Sequence, residues 1–141
     1  MLWFLLASTC WADDDALLRA LSVRDPAPSC AELSALTDEP ATDLRHVAET
    51  VTLPPWAPMR AAQCLVAAHS EASESAFQQW VMDPAREGLG LLVLRRTAQL
   101  PDDLARAVIT SALDGELAVQ ARQAALSDPR PTVQSLATPT D

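Results

Sequence analysis

Written out at a step of thirty residues, this chain falls on itself. Met59, Leu89 and Val119 share one column, Ala61, Leu91 and Ala121 a second, and Cys64, Leu94 and Ala124 a third. Upstream, Pro54, Pro84 and Asp114 stand together, and these residue types punctuate helices. Leu44 and Leu104 share a further column, which Glu74 interrupts. A fixed period of this length marks stacked repeats, each too small to bury its own apolar face. Such arrays hold partners along a surface more often than they enclose a reaction. The columns at 59, 61 and 64 are expected to face the core, and those at 60, 63 and 67 to face away.

The repeating unit reads as helical. The apolar share is 49%, enough to build a core in a chain of 141 residues, and it is mostly Ala and Leu. Those are strong helix formers, whereas strand-favouring aromatics are scarce: two Phe and no Tyr. Three Gly are too few for many hairpin turns, and eleven Pro supply the breaks instead. The net charge is −9, with every one of the ten basic residues an Arg. Such a balance speaks against nucleic acid, which rewards a basic face, and against anionic lipid surfaces. It keeps a small Ala- and Leu-rich protein soluble.

Residues 1–12 read as a leader. An apolar run, Leu2 to Ala7, gives way to small residues and then to Asp13, Asp14 and Asp15. Cys10 and Ala12 occupy the small-x-small positions of a cleavage site after Ala12. The run is far below the ~20 residues of a transmembrane helix. No Arg or Lys precedes it, a departure from the usual leader. Lipid attachment at Cys10 is the alternative, with Thr9 a poor residue before a lipidated cysteine. Export to the periplasm or beyond is therefore expected. Cys30 and Cys64 then remain, either joined in one disulfide or buried as two small apolar thiols.

From residue 13 onward nearly every segment reads as a short helix with an explicit start or stop. Residues 13–40 form an N-terminal helical cap. Leu17, Leu18 and Leu21 line its first helix, Pro26 and Pro28 break it, and Ser29 with Glu32 spells a capping box. Residues 41–137 hold the repeats, with helices expected over about 41–52, 58–68, 72–82, 84–98, 101–113 and 116–126, and a short segment from Asp128 to Ala137. Residues 138–141 fray. No strand pattern occurs, so the expectation is one all-α domain.

The stretches Pro58–Leu65, Ala118–Leu126 and Asp128–Ala137 resemble the second helix of HEAT repeats in their short bacterial form. Each looks like that helix, in which a hydrophobic residue and an Arg precede small ones, and the last also has the Asp-Pro lead-in. The middle repeat departs, with Leu89-Gly90 where Met59-Arg60 stands in the first. The resemblance covers about residues 41–137. It implies an α-solenoid used for protein interaction; joined to the cap and the helix pattern, the expectation is a short α-solenoid of about three helical hairpins behind the N-terminal cap, working as a non-catalytic protein-interaction module without cofactor. A lyase or chaperone-like enzyme on the same scaffold is the alternative from another class; bilin lyases carry similar repeats, but no residue here points to them.

The candidate partner-binding residues follow from the outward columns. They are Arg60, Gln63, Gly90, Val93, Gln120 and Gln123, a polar and nearly uncharged stripe with a small apolar centre, and in HEAT-like proteins the second helices line the concave face. Trp56 joins them, since Trp is enriched at binding hot spots; corner packing is the other role open to Trp56 and Trp80. A thinly capped C-terminal repeat also allows self-association. Gly88-Leu89-Gly90 lacks the strand and third Gly of a phosphate loop and fits close helix approach instead. His46 and Glu49 share a helix face, but a metal needs three or four convergent ligands, and none is expected here. His69, at the end of its helix, suits the dipole there. Asp102 and Asp103 are adjacent on a helix, so they point apart and serve a helix start rather than acid–base catalysis.

Overall fold

The computed structural model describes residues 11–139, and among them every regular element is a helix or a helical turn. α1 (Trp11–Ser22) and α2 (Cys30–Ser34) lead into three pairs: α3 (Pro40–Thr50) with α4 (Trp56–Ala68), α5 (Glu74–Met82) with α6 (Glu87–Arg95), and α7 (Asp102–Leu113) with α8 (Ala118–Ser127). A last short helix, α9 (Pro131–Gln134), and a 3-10 turn over Ser135–Ala137 close the chain. Of the expected leader only Trp11 and Ala12 are described, as the first turn of α1; residues 1–10 lie outside the described residues, as do 140 and 141 of the expected tail.

The starts and stops are local chemistry. Ser29 accepts the Glu32 backbone N–H at 3.1 Å while the Glu32 carboxylate accepts that of Ser29 at 2.7 Å, the expected capping box. Pro40 and Pro131 open α3 and α9, where a missing N–H costs nothing. Asp83 accepts the Ala85 N–H and starts a 3-10 turn over Pro84–Arg86, so α6 proper begins three residues later than Pro84. It also ends early, at Arg95 rather than near Ala98. The Thr97 hydroxyl bonds the Leu94 carbonyl, and Thr97–Gln99 tightens into another 3-10 turn ahead of Pro101.

Helices pack on their hairpin partners and, from α4 onward, on the pair beyond. α4 touches α6 and α6 touches α8, while α5 lies beside α7; α1 and α2 lean on α4, and α9 with its following turn covers α7 and α8. Between the rows lie Leu44, Leu65, Phe77, Trp80, Val93, Val108 and Ile109, all buried. Each such side chain contributes about 1.5–3 kcal/mol of burial. The Phe77 and Trp80 rings meet at 5.7 Å, tilted by 56°.

The polar ties obey one spacing. Among the described residues, every side-chain hydrogen bond between residues more than six apart spans 30 to 39 positions. Arg45 on α3 reaches Ser75 and Gln79 on α5. The Trp80 indole N–H donates to Glu49 at 2.9 Å, and Arg130 donates to the Leu100 and Thr97 carbonyls at 2.7 and 2.9 Å. Thr132 donates to Asp102. Each tie therefore reaches one helix pair away.

Candidate partner-binding face

Two grooves run along α6. The one between α4 and α6 has a volume of about 330 Å³ and is lined by Met59, Gln63, Leu92, Arg95 and Arg96. The one between α6 and α8, about 370 Å³, is lined by Leu91, Leu94, Arg95, Gln120, Gln123 and Ala124. Of the expected stripe, Gln63, Gln120 and Gln123 are exposed and border these grooves.

The other four expected residues do different work. Gly90 and Val93 are buried, which contradicts their placement in an outward stripe. A Cβ on Gly90 would stand 2.6 Å from the Trp80 carbonyl oxygen and 2.9 Å from Leu117 Cδ1. With no side chain there, α6 seats directly on the end of α5, and its 90/93/97 side turns inward. Gly88 has open space around its Cα, so close approach explains only one of the two glycines. Arg60 spends its guanidinium on the carbonyls of Leu21, Val23 and Arg24, closing the end of α1. Trp56 packs a corner: its indole N–H donates to the Ser22 carbonyl at 3.3 Å and the Arg24 guanidinium lies 5.2 Å over its ring.

The core columns also need one correction. Val119, expected inside beside Met59 and Leu89, is 69% exposed. α8 begins only at Ala118, and Leu117 takes the buried position at its start. Val119, Gln123 and Leu126 then fall at i, i+4 and i+7, an exposed stripe beside the α6–α8 groove. Sequence reasoning missed Arg95 and Arg96. The signal was available: they are the only adjacent pair of cations in the chain.

Charged groups off this face are mostly spent on structure. Burial pushes Glu49 up, but the Trp80 and Arg45 hydrogen bonds, with the charges of Arg45 and Arg86, outweigh it and hold its carboxyl below the usual range. Glu49 thus fastens α3 to its neighbours, while His46 is exposed. Asp128 is fully shielded and forms a two-oxygen clasp with Arg130 at 2.8 and 2.9 Å. That hydrogen bond, against burial, holds the Asp128 carboxyl below its ordinary value and raises Arg130. Asp102 and Asp103 sit in the first turn of α7 within reach of Arg106, as expected of helix-start acids.

Cys30 and Cys64 are joined in a disulfide with Cα atoms 5.2 Å apart, tying α2 to α4. The bond decides between the two alternatives left by the sequence. His69 lies near the pair, its Nε2 2.8 Å from the Ser34 hydroxyl. With both sulfurs bonded to each other, this cluster offers a metal one imidazole and no thiolate. No family model, curated protein or solved structure matches the chain.

Proposed function

We propose that the chain is an exported, HEAT-like α-solenoid that works as a non-catalytic protein-interaction module, with the α4–α6–α8 face as its docking surface. The observation that carries the reading is the single spacing of the polar ties. Among the described residues, side chains bond one helix pair away and no further, as a linear stack requires. A stack of this kind buries its repeats against each other and leaves one continuous row of helices to face a partner. Gln63, Gln120 and Gln123 give that row hydrogen-bonding groups at a low desolvation cost. The disulfide supports export, because such bonds persist in oxidising compartments.

The test is photo-crosslinking in the native compartment. A photoreactive residue at Gln63 or Gln123 is expected to capture a discrete protein, and one at Thr110, exposed on α7, is expected to capture none. Equal capture at all three positions, or none at Gln63 and Gln123, would contradict the reading.

A further inference from the structure

Arg95 borders both grooves, standing on the ridge of α6 between them. Beside it is Arg96, and among the described residues neither has an ion-pair partner. Among the described residues, the only acid lining either groove is Asp128, whose side chain is fully shielded and held by Arg130. The opposite end of the face carries net negative charge: Glu87 and Glu116 stand around the starts of α6 and α8, beside Asp83, which is paired with Arg86. The face is therefore polarised, and its free cations sit at one end in a chain of net charge −9. The α6 C-terminus contributes only about −0.5 charge against these two full positive charges, so the local field favours an anion.

We infer that this face takes an acidic, apolar-anchored protein segment: carboxylates that meet Arg95 and Arg96, flanked by apolar side chains that enter the grooves on either side of α6. The inference rests on the interaction-module reading and adds the chemistry of the partner. The apolar anchors are matched by Met59 and Leu92 in one groove and by Leu91, Leu94 and Ala124 in the other. Val119 and Leu126, 69% and 68% exposed, extend the second groove outward. Guanidinium groups suit carboxylates because their planar N–H forks match the two oxygens. Neighbouring helices pack about 8–10 Å apart, which sets the distance from one groove to the next. In a polyproline-II-like segment residues three apart share a face and lie about 9 Å from each other, so the fitting core is apolar-acidic-acidic-apolar: its ends enter the two grooves, and its two acids flank that face, where the long Arg95 and Arg96 side chains reach out to them.

Fluorescence anisotropy of the full chain with three labelled peptides tests this. Their cores are Leu-Glu-Glu-Leu, Leu-Lys-Lys-Leu and Ala-Glu-Glu-Ala. The first is expected to bind about tenfold more tightly than either of the others, and more weakly as salt rises. Arg95→Glu should weaken it about tenfold, and Gln123→Glu about threefold, by placing like charge against the peptide. Arg19→Glu, at an exposed position of α1 and with the same change in net charge, should leave it within about twofold. Circular dichroism of each variant verifies that the helices persist. Equal binding of the acidic and basic peptides, equal loss in Arg19→Glu and Arg95→Glu, or no binding of any peptide would overturn the inference. If crosslinking at Gln123 still captures a partner through an uncharged or basic segment, the module reading stands and the acidic selectivity falls. Absence of both capture and peptide binding removes both. A dimer that Arg95→Glu dissociates, with no peptide bound, would assign the face to a second copy of the chain instead.

Discussion

At the scale of single residues, this chain uses groups that read as surface chemistry to hold its helices together. Arg60, Arg130 and Glu49 each bond across one helix pair to the next. Gly90 is the sharpest case, because a methyl there meets the Trp80 backbone at 2.6 Å. Gly90→Ala is expected to destabilise the fold by about 1–3 kcal/mol through overpacking. Gly88→Ala, in open space within the same helix, is expected to stabilise by about 0.4–1 kcal/mol. Urea denaturation of the pair checks both signs, and equal effects would contradict the seating of α6 on α5. The shielded carboxylates give a pH signature. Glu49 and Asp128 titrate below their ordinary range when folded, so as pH falls the unfolded chain takes up protons first. Stability should be flat above about pH 5 and fall as the pH drops through the carboxylate range towards the folded values. Asp128→Asn should cost about 1.5–3 kcal/mol at neutral pH and flatten that acid slope.

Among the elements, the Cys30–Cys64 bond joins the cap to the first pair, and the loop it closes is 34 residues long. Reduction is expected to lower stability by about 3–4 kcal/mol, measured as the shift in denaturation with and without reductant. No shift would place the restraint elsewhere. Most elements were legible in the sequence because capping and proline chemistry are local: Ser29 with Glu32, Pro40, and Asp83 with Pro84 all act within four residues. The candidate face was half legible. Gln63, Gln120 and Gln123 stand where periodicity placed them, but a thirty-residue step assumes that every helix is rolled alike. α6 is not, because Gly90 lets it sink onto α5, and α8 is not, because it starts late with Leu117 inside. Those rolls depend on contacts between pairs, which spacing alone does not encode. They bury Val93, expose Val119 and leave Arg95 on the ridge.

At the scale of the whole fold, the described helices touch in succession, with α1 and α2 against α4 and with α9 against α7 and α8. No helix among the described residues is long and apolar enough to cross a membrane. The fold has two unlike sides. On one, Arg45, Glu49, Arg86 and Trp80 knit α3, α5 and the turn after α5 together. On the other, the grooves beside α6 keep exposed glutamines and two arginines without ion-pair partners among the described residues. The first side is committed to internal bonds, and the second is the one we propose as the docking surface. Amide hydrogen exchange of the chain, free and with the protein captured by crosslinking, measures that division directly. Protection is expected to rise in α4, α6 and α8, most at the Arg95 end of α6, with α3, α5 and α7 unchanged. Protection confined to α3, α5 and α7, or no change anywhere, would contradict it.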